Sequence, residues 1–210
     1  MRNLPEPDSV EHILSTARSV RRKLDFSRPV SREDLEACIN VAVQAPTGIV
    51  GENWRFLIVT EADRKARIAE LYRTVLLEMA QTRGVELKKT HHALMDRLHE
   101  IPCMVFVYAI GEPDASATNH VGFYGSILPA AWSLMLAMRA RGIGTTWTSL
   151  LTARADEVAR ILDVPDGVTQ TVMLPAGYTL GATLRKADRL DARAVTYWDS
   201  WGASEPFGAS

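Results

Sequence analysis

The sequence predicts an α+β fold, with several helices packed around a small mixed sheet. Short apolar runs rich in β-branched and aromatic residues alternate irregularly with longer segments of helical spacing, without a repeating βα unit or an internal repeat. A chain of 210 residues is long enough for one proper core and short for two, so residues 1–210 are expected to form a single domain.

Each element follows from its own pattern. Residues 9–23 read as a basic amphipathic helix, with Ile13, Leu14, Ala17 and Val20 on one side. A second helix starts near Ser31, whose hydroxyl is placed to cap it with Asp34 three residues on, carries Leu35, Cys38, Ile39 and Val43, and stops at Pro46. Trp54 to Thr60 is a short apolar run that suits a strand after the Gly48–Gly51 turn. A charged helix from about Ala62 to Thr82 follows, then a polar connection with helical spacing ending at Pro102, then a second buried strand from Met104 to Ile110. His120 to Arg141 is the most apolar helix candidate, with Pro129 near its start and Gly142 at its end, where a left-handed cap needs no Cβ. Gly144–Thr148 and Thr169–Ala176 are the remaining strands, separated by a helix around Asp156 to Leu162. The tail from Val195 to Ser210 carries Tyr197, Trp198, Trp201 and Phe207 without a clear period, which suits rings buried on a partner subunit.

Composition narrows the function. With 47% hydrophobic and 23% charged residues the chain is an ordinary globular protein, and a formal charge of −1 gives no global field to attract nucleic acid or anionic lipid. The N-terminus lacks the apolar core of a signal peptide and no uninterrupted apolar run approaches a membrane span, so a cytoplasmic protein without a membrane partner is expected. Cys38 and Cys103 form neither a disulfide framework nor a CxxC pair and read as buried small hydrophobes.

Few constellations carry chemistry. On a helix Arg18, Arg21 and Arg22 fall at i, i+3 and i+4; an anion between them would relieve their repulsion, although a solvated basic face has the same spacing. The loop Ala45-Pro46-Thr47-Gly48-Ile49-Val50-Gly51 offers a hydroxyl and a backbone that a flat ligand can approach closely, or forms a plain turn. Gly142-Ile143-Gly144 precedes a strand and is no dinucleotide fingerprint, and no phosphate-binding GxxxxGK[ST] loop occurs. His92, Asp96 and His99 are acceptable metal ligands by type, but the segment is polar and supplies no fourth, so no metal is expected. Ser126 lacks a GxSxG context.

Four stretches, ARSVRRKLDFSRPVSREDLE, QAPTGIVGENWRFLIV, GSILPAAWSLMLAMRARGIGTTWTSL and LPAGYTLGATLRKADRL, resemble the nitroreductase family in type and order. The resemblance implies an α+β sandwich with a mainly antiparallel sheet flanked by helices, a domain-exchanged homodimer, and two FMN sites built by both subunits. It implies that the FMN phosphate is held by Arg18, Ser19, Arg21 and Arg22, in a register that pairs either Arg18 with Arg22 or Ser19 with Arg21. The resemblance further implies that Arg189, ahead of Lys186, completes the phosphate site, that the Pro46-Thr47-Gly48 turn meets the pyrimidine side of the flavin, and that Pro129 matches the family's core-helix proline and Ser149 with Leu150 the pair near N5.

Val50 and Glu52 depart from the family's asparagine and glutamine, and Trp132-Ser133 from its Gln-Asn. The reaction implied is ping-pong transfer of electrons from NADH or NADPH through FMN to a small nitroaromatic, quinone or similar acceptor, with no acid or base residue required. Desaturation, reductive dehalogenation or flavin reduction are alternatives on the same scaffold, as is a flavin-storing protein whose slot Val50 and Trp132 close.

Overall fold

In the computed structural model, which describes residues 6–48 and 51–202, four strands form one sheet in the order β1-β2-β4-β3. They are β1 (Trp54–Val59), β2 (Cys103–Ile110), β3 (Ile143–Thr145) and β4 (Val168–Tyr178). All three strand pairings are antiparallel; the parallel contact among the described residues is an isolated bridge between Gly111 and Val168. The side-chain period of two divides the sheet into two faces. Cys103, Val105, Val107 and Ala109 of β2 join Val172, Leu174 and Ala176 of β4 in one apolar cluster, while Met104, Phe106, Tyr108 and Met173 join a second. Helices α2 (Arg32–Ala42) and α5 (Ala117–Ala140) cover the first face. Helices α3 (Ala62–Arg83), α4 (Lys89–Arg97) and α6 (Ala155–Leu162) cover the second. The sandwich expected from the motifs is therefore present.

The second helix forms as read, with the Ser31 hydroxyl accepting from the Asp34 N–H at 3.0 Å. The polar connection before Pro102 folds into α4 and a 3-10 turn at Leu98–Glu100. Several boundaries differ: β3 ends at Thr145 and not at Thr148, which meets β4 only through an isolated bridge to Met173. Helix α5 begins at Ala117, not at His120, because Ser116 accepts from the Asn119 N–H at 3.1 Å and fixes the first turn. Pro129 consequently lies in the helix interior, where it removes the N–H that the Gly125 carbonyl would accept from. By length and composition α5 is apolar enough to span a membrane, unlike any uninterrupted run in the sequence; half of its most apolar window is buried inside the protein, as a core helix requires.

The larger correction is at the N-terminus. Helix α1 spans Pro7–Thr16 and ends there, so Arg18, Arg21 and Arg22 do not share a helical face. Ala17 is extended, at φ −63° and ψ 127°. The Val20 N–H donates to the Thr145 carbonyl at 2.9 Å, the Thr146 hydroxyl to the Val20 carbonyl at 3.0 Å, and the Leu180 N–H to the Lys23 carbonyl at 3.0 Å. Extending the segment buries Val20 and Leu24 and separates three guanidinium groups that a helix would have stacked within one turn. Arg139 on α5 secures the break by donating to the His12 and Ile13 carbonyls and to the Thr16 hydroxyl, which itself donates to the His12 carbonyl.

This crossing requires a residue without a side chain at position 144. A Cβ there would lie 2.8 Å from Thr179 Cγ2 and 2.9 Å from both Leu24 Cδ2 and Val20 Cβ. Gly144→Ala is expected to destabilise the protein by about 1–3 kcal/mol through overpacking, measured by urea denaturation; an unchanged midpoint would contradict this role for Gly144.

Candidate functional site

Three neighbouring cavities surround the extended segment. The first, of about 410 Å³, lies among His12, Arg18, Arg139, Thr145, Thr179 and Thr183. The second, of about 500 Å³, is lined by Ala17, Arg18, Ser19, Trp132, Met135, Trp147 and Arg189. It shares Ala17, Arg18 and Met135 with the first. The third, of about 520 Å³, shares Trp147 with the second and runs past Arg21, Tyr72, Met79, Arg83, His91, Thr146, Thr148, Ser149 and Leu150. Trp147 is thus common to a compartment with Arg18 and Arg189 and a cleft that joins Arg21 and Arg83 to the apolar Val75, Leu76 and Met79.

The fold brings together much of what the motifs pointed to. Arg18, Ser19 and Arg189, from positions 170 residues apart in the chain, line one cavity. Arg21, Ser149 and Leu150 line the next. Arg22 and Lys186 are exposed and line none of the described cavities, whereas Arg18 and Ser19 share the second cavity and Arg21 lines the adjoining cleft. The end of α1 at Thr16 is the cause, because beyond it residues 18, 21 and 22 no longer fall on one helical face.

Pro46, Thr47 and Gly48 are exposed and also line no described cavity. They precede β1, the sheet edge opposite β3, about 14 Å away at three strand spacings. Pro129 is half-buried within α5. None of these four residues lines a described cavity with Ser149. Val50 lies outside the described residues, as does Phe207. Glu52 is exposed, and its backbone carbonyl accepts from Arg55 at 3.2 Å. Tyr197 and Trp201 pack together with ring centroids 4.9 Å apart, while Trp201 remains 91% exposed.

Charge in the site is one-sided. Among the described residues, Arg18, Arg21, Arg83 and Arg189 have no carboxylate partner, and none of the three cavities has an acidic residue in its lining. Burial lowers the pKa of Arg139, and the nearby Arg18 charge adds to that shift. Burial lowers that of His91 below the ordinary histidine value, with Arg21, Lys88 and His92 acting in the same direction. Burial pushes the Tyr72 phenol up, against the pull of a hydrogen bond with Thr148 and the Arg21 charge. Arg83 and His91 lie in none of the motif stretches, and Arg139 and Trp147 lie within one at positions to which the resemblance assigns no role.

The cysteines offer no nucleophile. Both are fully buried, burial raises the Cys38 pKa, and it pushes Cys103 up to about 12. Asp96 pairs with Arg73 at 3.4 Å, and among the described residues no group of three His, Cys, Asp or Glu is placed to hold a metal ion.

A family model described as the nitroreductase family matches residues 14–178. Iodotyrosine deiodinase 1 of Rattus norvegicus is 28% identical over 196 residues, covering 88% of this chain and 68% of that protein. A protein of Methanothermobacter thermautotrophicus, provisionally described as an NADH dehydrogenase/NAD(P)H nitroreductase, is 22% identical over 168 residues, 79% of this chain and 74% of that protein. Among solved structures, an oxidised iodotyrosine deiodinase bound to FMN and 3-iodo-L-tyrosine superposes with a TM-score of 0.68 at 21% identity, over 90% of this chain and all of that one.

A histidine whose pKa falls on folding contributes stability that is present above its unfolded value of 6.5 and is lost as pH drops through the folded value. Urea midpoints are expected to fall from pH 6.5 to 5.5, above the carboxylate range, and His91→Gln is expected to flatten part of that slope. An identical slope in the variant would contradict the assignment.

Proposed function

Because the chain belongs to the nitroreductase family, we propose that it binds FMN across the second and third cavities and passes electrons from NADH or NADPH to a small organic acceptor. The convergence of Arg18, Ser19 and Arg189 on one cavity carries this reading. Two guanidinium groups and a hydroxyl, with no acidic residue in the lining, suit a phosphate monoester, which takes charge-assisted and bidentate hydrogen bonds. Trp147 and Met135 give the same compartment apolar surface, and the adjoining cleft adds room for a flat ring system beside Ser149 and Leu150.

When bound, FMN supplies the two-electron chemistry, so the chain's task is to hold and polarise it and to shape the slot. Arg18 and Arg189 would anchor the phosphate. Arg21 would place a positive charge in the ring compartment, where hydrogen bonding and charge stabilise a reduced, anionic ring. The Thr148 and Ser149 hydroxyls and the backbone at Leu150 line the edge of that compartment.

The site is completed by a second copy of this chain. Pro46–Gly48 lies on the sheet edge away from Ser149, so a partner's loop is needed to supply the turn that the motif pairs with the ring. Val121 and Trp132 on α5, with Trp198 and Trp201 of the tail, provide exposed apolar surface for such a dimer. Reductive dehalogenation is a second reading of the same slot, favoured by the iodotyrosine deiodinase among the relatives.

Arg18→Ala combined with Arg189→Ala is expected to raise the FMN dissociation constant at least about tenfold, as loss of charge-assisted hydrogen bonds implies. Arg22→Ala should change it less than about threefold. Fluorescence titration of FMN reads both, and light scattering of the FMN-loaded protein should give twice the chain mass. An unchanged affinity in the double variant would overturn the phosphate assignment, and a monomer mass the shared site.

A further inference from the structure

The third cavity has a cationic rim that holding FMN leaves unused. Arg83 is the last residue of α3 and His91 lies in the first turn of α4, so both come from the α3–α4 connection. Val75, Leu76 and Met79 form an apolar floor, and Thr146, Thr148, Ser149 and Thr152 add hydroxyls. No carboxylate lines the cavity: Glu86 of the α3–α4 connection is exposed outside it, and three carboxylates of neighbouring elements are paired with arginines. Glu78 and Glu157 both hold Arg154, at 2.8 and 3.3 Å, and Asp96 holds Arg73. Uncompensated positive charge above an apolar floor and beside the Trp147 ring suits a flat apolar body with one anionic group.

We infer that Arg83 and His91 select acceptors that carry a carboxylate on an aromatic body, an inference resting on the reading of this cleft as the flavin-ring compartment, where an acceptor must meet the ring. The guanidinium of Arg83 offers a planar fork that matches a carboxylate bidentately. His91 faces Arg21 from the extended segment and Arg83 from α3, with Lys88 and His92 beside it on its own element. These groups are all basic, and Nδ1 of His91 already accepts from the Lys88 N–H at 3.4 Å. An arriving anion reverses that field and favours the protonated imidazole. A benzoate-type carboxyl, with a pKa of about 4, stays ionised throughout. Anion binding therefore takes up a proton and tightens as pH falls from 8 to 6, while an uncharged analogue of the same shape gains nothing.

The test compares 4-nitrobenzoate with 4-nitrobenzamide by calorimetry at pH 6 and pH 8, using the FMN-loaded protein and an Arg83→Gln/His91→Gln double variant. The wild type is expected to bind the benzoate at least about tenfold more tightly than the amide at pH 6, with a smaller ratio at pH 8. In the double variant the ratio falls close to one at both pH values, and Arg83→Lys, which keeps the charge, retains part of it. A merely structural role would weaken both ligands together and leave the ratio intact. A wild-type ratio near one, no measurable benzoate binding, or a ratio that survives the double substitution overturns the inference. Flavin absorbance is scored separately: a chain that takes up no FMN yet prefers the benzoate contradicts the function proposed above and not the selectivity of the cleft.

Discussion

The site depends on the extended segment that follows α1 lying across the end of the sheet, tied by the Val20 N–H to the Thr145 carbonyl and by the Thr146 hydroxyl to the Val20 carbonyl. These bonds replace those of a continued helix, and Val20 and Leu24 enter the core beneath them. The extended path directs Arg18 and Ser19 into one compartment and Arg21 into another. Gly144 permits the close approach, and Arg139 holds the end of α1 so that the chain leaves at a fixed place. A clash at Gly144 would disturb the core and the cationic compartment together, because both use the same eight residues of backbone.

Electrostatics then separates the compartments by task. The sheet, α2 and α5 build an apolar body, and the basic groups that edge it at Arg18, Arg21, Arg83, His91 and Arg189 lack acidic neighbours in the cavity linings. Salt bridges elsewhere, such as Arg64 with Asp163 at 2.7 Å and Arg97 with Glu100 at 2.5 Å, join exposed partners and contribute little to stability. Positive charge left unpaired beside apolar walls is costly in a single chain, and anionic ligands offset it. On the proposed reading, the same arrangement serves a phosphate on one side of Trp147 and a carboxylate on the other.

The strands and most helices were legible because their burial follows the period of the backbone: alternate residues of β2 and β4 pack on opposite faces, and Ser31 caps α2 three residues before Asp34. The first arginine-rich segment was misread for a physical reason. Val20 and Leu24, four residues apart, fit one face of a helix as well as two buried positions of an extended chain, and only the distant partners at Thr145 and Thr179 decide between them. Arg18, Ser19 and Arg189 were legible as a group through their motifs, whereas Arg83 and His91 belong to no motif and reach the cleft only because α3 and α4 fold against the same face. The Pro46–Gly48 turn was legible as a motif, yet within one chain it lines none of the described cavities.

The central claim is that this site holds a flavin that exchanges electrons with a nicotinamide. Its most direct test is the visible spectrum of the FMN-loaded protein, recorded anaerobically while NADPH and then NADH are added, followed by a nitroaromatic, a quinone or an iodinated phenol. The account predicts that the flavin absorption bleaches with at least one nicotinamide and returns when an acceptor is added. A bound flavin that neither nicotinamide bleaches would contradict the claim of electron transfer from NAD(P)H, and a protein that takes up no FMN would contradict the claim as a whole.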